Sequence, residues 1–309
     1  MLLLDLSATC YSAYHAIAKD SPVDLDILRH VILNIIHSNL QKFRNEYGSN
    51  LVICDDGKNS WRFDVFPHYK AGRRAKRKDS KINWDEIFGW MNTIKEEIRT
   101  IFPYRFMQHD KAEADDIIAV LTKEHSEFEA FGIPQEKILI LSGDADYVQL
   151  HKYPNVTQYN SVRHEYVKPK VNPYADLEEK ILHGEAKEKD GIPNILSDDN
   201  IFLTGKRQTV LTEKRLIEIR ETLDKCKKAE LNRDMNSGPS QPPIPYPPNY
   251  IRNKTLVDFD CIPINIIQDI LNTYKTLPTQ EELNQRRHGL LAYFMDKRLR
   301  NLLENIGDF

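Results

Sequence analysis

Carboxylates are the residues in this chain whose spacing promises chemistry. Asp5 closes the opening run LLLD, Asp56 follows VICD, and LSGDAD sets Asp144 and Asp146 just beyond KILIL. A further group, Glu113, Asp115 and Asp116, lies in HDKAEADDIIAV at the start of a helical pattern. Taken singly, each acid has an ordinary use as a cap, a turn residue or a negative charge against a helix dipole. Taken together, they stand at the ends of several independent elements. Carboxylates delivered to one sheet edge repel and raise one another's pKa unless a cation neutralises them. Oxygen-only donors favour a hard divalent ion, magnesium or manganese, over zinc. Two such ions roughly 3.5–4 Å apart stabilise the attacking and leaving oxygens of a phosphodiester displacement.

The elements that must position these acids can be read from apolar spacing. Short apolar runs at 2–5, 51–54, 104–107 and 137–141 suit buried strands. Helical spacing runs over 24–47, carried by Leu25, Leu28, Ile32, Ile35, Ile36 and Leu40, and again over 84–102 and over 112–131, which closes at Gly132. Strands alternating with helices predict an α/β fold, a central mostly parallel twisted sheet with helices on both faces. In such a sheet ligands gather beyond the carboxyl ends of the strands, where these acids fall. After about Lys168 the segments turn helical or loop-like, which predicts a second, α-rich region. Within 236–250, Pro239, Pro242, Pro243, Pro245, Pro247 and Pro248 make an extended insertion outside any core. It reads as a surface loop sooner than as a dock for a proline-reading partner.

A second chemical signal is basic. Lys70, Arg73, Arg74, Lys76, Arg77 and Lys78 crowd between Pro67 and Asp79, on a loop or an irregular helix. Such a run serves equally as a solvated face or as a contact that neutralises phosphates and releases counterions. The whole-chain charge of −3 decides nothing between these. A chain of 309 residues, 40% apolar, can bury a sizeable core in one large or two smaller domains. No apolar stretch reaches a membrane span, and MLLLD lacks the basic start and apolar length of a signal peptide, so a soluble cytoplasmic protein without membrane contact is expected. Cys10, Cys54, Cys226 and Cys261 are far apart and give neither a zinc pattern nor a disulfide framework. No G-x₄-G-K-[ST] loop is present, which argues against NTP hydrolysis.

In this order the motifs resemble the phage (T-even type) ribonuclease H branch of the 5′-nuclease, or flap endonuclease, family. The markers are LLLDLS, VICDD, FPHYKAGR, KAEADDIIAVL, LSGDADYVQLHKYPNV, HGEAKEKDGIPN and LVDFDCIP, spread over nearly the whole chain. The resemblance implies a PIN-like catalytic domain over 1–180, with a basic arch near 66–82. It implies a helical DNA-clamp domain over 181–309 containing a helix–turn–helix. Asp5, Asp56, Glu113, Asp115, Asp144 and Asp146 match the family's metal-binding acids, for two magnesium ions with manganese as a substitute. Lys70 and Arg73 match the cations that act on the scissile phosphate, and Tyr69 an aromatic that stacks on a base of the unpaired strand. Arg74, Lys76, Arg77 and Lys78 would follow the nucleic-acid backbone. The implied activity is 5′→3′ exonuclease and flap cleavage of RNA–DNA and DNA–DNA duplexes, which removes primers during replication. The implied partners are hybrid, duplex, flap and forked DNA, a single-strand-binding protein and a sliding clamp. The protein would act as a monomer, in the host cytoplasm if phage-encoded.

The sequence departs from the family's pattern at GEAKEKDGIP. The usual motif places two acids three apart before the turn, and Asp190 is fixed by the GIP that follows it. Glu185 keeps its place after Gly184 if the extra residues bulge outward, whereas a continued helix would bring Glu188 nearer. The bulge is favoured, with Glu185 and Asp190 as metal acids and Lys187 and Lys189 as phosphate contacts. Ile306 and Phe309 fit either a short apolar anchor for a sliding clamp or, more simply, a helix end packed on its own domain. Three rival functions stay in view. A phosphatase-type D-x-D follows the first strand, not a later one. A topoisomerase-primase-like site would leave Asp5, Asp56 and Lys70 unused. A non-catalytic binder of branched DNA is separated from a nuclease by cleavage with and without magnesium.

Overall fold

The computed structural model of the protein describes residues 1–126, 136–184, 191–204, 206–235 and 246–309, with side chains described except at 74–76, 78 and 230–235. In chain order the elements begin β1 (Leu2–Asp5), α1 (Leu6–Ile17), α2 (Leu25–Tyr47), β2 (Leu51–Asp55), α3 (Arg62–Val65), α4 (Ala71–Lys78), α5 (Trp84–Ile101), β3 (Arg105–Gln108), α6 (Ala114–Ser126) and β4 (Ile138–Leu141). They continue with β5 (Val156–Asn160), β6 (Glu165–Tyr166), α7 (Pro173–His183), α8 (Glu213–Met235), α9 (Pro248–Val257), α10 (Ile264–Lys275), α11 (Gln280–Asp296) and α12 (Arg300–Glu304).

The sheet runs β3-β2-β1-β4-β5-β6. Its first five strands are parallel, and β6 closes it as a short antiparallel hairpin with β5. Every residue of β1, β2 and β4 is buried, as expected for parallel strands covered on both faces. The register sets Asp5 opposite Cys54 on one side, while Leu4 pairs with Leu141 on the other. The chain steps outward from β1 through β2 to β3, then returns to build β4 on the opposite flank. This reversal opens a crevice beyond the carboxyl ends of β1 and β4, which is where the acids lie.

Two compact units divide the chain: residues 1–61, 81–176 and 262–309 form the first, and 62–80 with 177–261 the second. The helical stretch expected as one region after residue 180 is therefore shared out. Leu290, Tyr293, Phe294, Leu299, Leu302 and Phe309 belong to the same core as Leu2, Leu4, Ile53 and Leu139. The cause is apolar burial between segments far apart in sequence, which local periodicity does not register. A polar node reinforces it: Arg29 of α2 makes a two-pronged contact with Glu97 of α5 (2.7 and 3.1 Å), and the Tyr293 hydroxyl of α11 donates to the same carboxylate at 2.8 Å. Phe309 stacks on His37 with ring centroids 4.9 Å apart and is buried, and Ile306 packs against the same core. The C-terminal apolar pair is thus packed on its own unit and offers no free anchor to a clamp.

The second unit gathers α3, α4, α8, α9 and the C-terminal part of α7 around Phe66, Tyr69, Ile181, Leu182, Ile192, Ile195, Leu223, Tyr250, Leu256 and Val257. Arg62, 2% exposed, donates through Nε to the Leu256 carbonyl at 2.9 Å. The Asn253 amide, fully buried, donates to the carbonyls of Ile181 and Pro193 at 2.8 and 2.9 Å, which fixes the chain just after the GIP turn. Gly191 has φ +72°, and a Cβ there would lie 2.8 Å from the His68 carbonyl oxygen, so both conformation and close approach call for glycine.

Candidate active site

β1 ends by handing its last side chain to the next helix. Asp5 N-caps α1, its Oδ1 accepting from the Ala8 N–H at 2.9 Å. Its Oδ2 accepts from the Tyr147 hydroxyl at 3.0 Å and from the Ser142 hydroxyl at 3.4 Å. The carboxyl is 7% exposed. Burial first, then the charge of Asp56, and further on that of Asp144, push its pKa up to about 7, against the pull of the Ala8 N–H and the Tyr147 hydroxyl. The Tyr147 hydroxyl is itself driven well above its ordinary value by burial, then by the charges of Asp5, Asp115 and Asp144. These mutual effects bring Asp5, Asp56, Asp115 and Asp144 into one electrostatic neighbourhood.

Asp56 is placed by a pair of loops. The Gly57, Asn59 and Trp61 N–H groups donate to the carbonyls of Ala112, Asp110 and Lys111 at 2.8–2.9 Å. A Cβ on Gly57 would lie 2.0 Å from the His109 carbonyl oxygen, so only glycine permits this contact. As a result the Asp56 Oδ1 accepts from the Ala114 N–H at 2.9 Å, at the start of α6. On the same turn Glu113 is buried and Asp115 half-buried, and the Asp115 carboxylate accepts from the Asp116 N–H at 2.8 Å. Asp116 is fully buried, and its Oδ2 accepts from the Trp61 indole (3.1 Å) and the Glu113 N–H (3.0 Å), so it braces the turn from within.

Beyond β4, Asp144 caps a 3₁₀ helix over Ala145–Lys152, its Oδ1 accepting from the Asp146 N–H at 3.0 Å. Asp144 is exposed and Asp146 half-buried. Gln158 of β5, fully buried, donates to the carbonyls of Ser142 and Asp144 at 2.9 and 2.7 Å and holds this loop in shape. Among the described residues, no three His, Cys, Asp or Glu side chains are gathered closely enough to hold a metal ion as they stand. The reason is visible in the hydrogen bonds: Asp5, Asp56, Asp115 and Asp144 each turn an oxygen onto a nearby backbone N–H, which keeps like charges apart.

Residues 1–180 match the family model described as the 5′-3′ exonuclease N-terminal, resolvase-like domain, and residues 172–309 match that of the T4 RNase H C-terminal region. The chain belongs to the 5′-3′ exonuclease family. Ribonuclease H of Enterobacteria phage T4 is 31% identical over 93% of this chain and 88% of its own length. The flap endonuclease Xni of a Shewanella species is 25% identical over 42% of both chains. The phage T5 flap endonuclease, solved as a pseudo-enzyme–product complex with DNA and metal ions, shares the fold at a TM-score of 0.55 and 14% identity, covering 94% of this chain and 97% of that one.

Within this family setting the basic segment forms a helix, α4, where sequence left a loop or irregular helix open. Lys70 precedes it with φ +55°, a left-handed backbone rare for a side-chain-bearing residue. Its Nζ lies 5.0 Å from the Tyr69 ring centroid. Tyr69 corrects an expectation: at 5% exposure, edge-on to Phe63 at 5.5 Å, its ring anchors the turn within the second unit's core and has no open face for a base. Lys70, Arg73 and Arg77 are half-buried. The side chains of Arg74, Lys76 and Lys78, and all of Glu185, Lys187, Glu188, Lys189 and Asp190, lie outside the described residues, as do the end expected for the 112–131 helix and residues 236–245 of the proline-rich insertion. Sequence reasoning missed Ser142 and Tyr147 as partners of Asp5, although both flank the D-x-D within LSGDADY. It also treated Asp55 only as a strand end.

Proposed function

We propose that this protein is a divalent-metal-dependent 5′→3′ exonuclease and flap endonuclease that removes RNA primers from lagging-strand fragments. The observation that carries this is the arrival of acids from the ends of β1 and β2, the start of α6 and the loop after β4, with the buried Asp5 pushed up to about 7 first by burial and then by the charges of Asp56 and Asp144. Asp56 and Asp144 add negative charge beside the buried Asp5 for a cation to relieve, and every side-chain donor named there is oxygen, which fits magnesium with manganese as a substitute. Asp5, Asp56, Glu113, Asp115, Asp144 and Asp146 would hold two ions, completed by Glu185 and Asp190. Bound there, the ions would lower the charge barrier to hydrolysis of a phosphodiester.

The remaining steps fall to the chain itself. Lys70 and Arg73 supply positive charge to the scissile phosphate, where it strengthens as charge develops. Arg74, Lys76, Arg77 and Lys78 follow the backbone of the strand that ends 5′, and Lys187 and Lys189 hold the duplex beyond it. Residues 1–180 supply catalysis and 181–309 the helix–turn–helix clamp, although the core of the sheet also draws on 262–309. The substrates are RNA–DNA hybrid, duplex, flap and forked DNA. The protein works as a monomer in the host cytoplasm, beside a single-strand-binding protein and a sliding clamp. None of the described helices is long and apolar enough to cross a membrane. Incubation with a 5′-labelled RNA–DNA hybrid and a 5′-flap DNA should release short labelled products only when magnesium is present. Intact label with magnesium, alongside firm DNA binding, would make the protein a binder of branched DNA instead.

A further inference from the structure

Asp55 and Asp56 are neighbours with opposite fates. Side chains alternate along a strand, so Asp56 faces the crevice beyond β2 while Asp55 points into the protein. Asp55 is 1% exposed. Its Oδ1 meets Lys95 Nζ of α5 at 2.5 Å and accepts from the Ser7 hydroxyl of α1 at 3.0 Å. Lys95 in turn donates to the Ser7 hydroxyl at 3.3 Å. The Gln108 amide, at the end of β3, donates to Asp55 Oδ2 at 3.0 Å and to the Asp56 carbonyl oxygen at 2.8 Å. Arg99 donates to the other end of that amide at 2.7 Å and so fixes its orientation.

We propose that the buried Asp55–Lys95 pair is a positioning device that sets the Asp56 backbone, through Gln108, for divalent-ion binding. The geometry links the ends of three strands. Ser7 lies two residues past Asp5, Asp55 immediately precedes Asp56, and Gln108 ends β3. A buried carboxylate requires a paired cation, and here the cation sits on α5, an element that contributes no acid to the crevice. Burial works against the charge on Lys95, but Asp55, with smaller help from Cys10 and Asp56, more than restores it, so its pKa is raised. A surface lysine would be screened at that distance, and a buried one also offsets part of the crevice's negative charge. Partners of this kind, one step behind a metal ligand, typically tune metal affinity by about 10–100-fold.

This inference rests on the metal site proposed above, and calorimetric titration of the protein with magnesium alone separates the two. The wild-type chain should bind the ion. Replacing the pair by apolar groups, Asp55→Leu with Lys95→Met, leaves no unpaired buried charge and should preserve a cooperative melt. Its magnesium affinity should fall about tenfold, and the magnesium needed for half-maximal cleavage should rise by a similar factor while the rate at saturation changes less. Gln108→Met removes the bridge to Asp56 without stranding any charge, and it should show the same loss of affinity if the double variant fails to fold. Wild-type affinity in Gln108→Met, or in a folded double variant, would overturn the positioning role alone. Absence of magnesium binding by the wild-type chain would overturn the metal assignment and this inference with it.

Discussion

The acidic strand ends and the basic turn before α4 hold their charges by contrasting means. In the first unit the carboxylates leave a sheet whose central strands are wholly buried, and Asp5, Asp56, Asp115 and Asp144 are each pinned by a backbone N–H. In the second, Lys70 stands on a left-handed residue beside the buried Tyr69 ring, at the mouth of a short helix dense in arginine and lysine. The contrast teaches that like charges at one place need a rigid, low-entropy frame, because their repulsion must be borne by the fold itself. Cations meant for a polyanion can ride on a lighter support, since the ligand brings the compensating charge.

The sharpest way to break the comparison is to remove a charge from the rigid side. Asp144→Asn or Asp146→Asn should lower cleavage on the order of 10³-fold or more, a barrier change of at least about 4 kcal/mol, while folding and DNA binding persist. Single-turnover rates with magnesium check this, and near-normal turnover in either variant would remove that acid from the site. On the lighter side, Lys70→Ala should cost about 10²-fold in the chemical step and little in affinity, because neighbouring cations keep the phosphate contacts. Saturating enzyme that restored the full rate would reduce Lys70 to a binding residue.

Stability should separate the regions next. With its pKa pushed up to about 7, Asp5 keeps its proton in the folded chain while the unfolded chain releases it near 3.8. Stability present below the unfolded value is then lost as pH rises through the folded one. In chelator-treated protein the loss between about pH 5 and 7 should reach roughly 2–3 kcal/mol, and magnesium should reverse it. A melting temperature flat over that window would show that Asp5 does not bear the crowding. The smallest effect is expected at Gly191→Ala, where the positive φ costs about 1–2 kcal/mol and the added Cβ presses on the His68 carbonyl. It should lower the melting temperature by a few degrees, and a melting temperature equal to that of the wild-type chain would show that this turn accepts a Cβ.

Much of the rigid side could be read from the sequence because a doubly covered parallel strand writes its burial as an unbroken apolar run. LLLD, LVICD and ILIL all form strands; the first two end on an acid, and the third runs into the loop that carries Asp144. β5 escaped because VTQYN mixes polar residues into a buried strand, one of which, Gln158, is buried to satisfy carbonyls of a neighbouring loop. α1 escaped because it follows β1 without a linker, and its first residues, Leu6 and Ser7, carry little helical signature. Tyr69 read as a base-stacking aromatic by resemblance alone, whereas its ring lies in one core with Phe63 and Phe66, which only tertiary structure reveals. Lys95 gave no local sign at all, since it lies 40 positions from the Asp55 it neutralises and one basic residue in an amphipathic helix is unremarkable.

The discontinuous build of the first unit has a consequence for how the protein is made. Leu290, Phe294, Leu302 and Phe309 share one core with Leu2 and Leu4, so β1 waits for α11 and α12 before its apolar surface is covered. Domains ordinarily settle as units during synthesis, from the N-terminal side. Here all six acids described at the crevice are translated long before the core that stiffens them is complete. A message cut short within α11 would therefore yield a sticky, protease-sensitive fragment instead of a working nuclease. The helices that close this core are made well after the acids whose frame they complete.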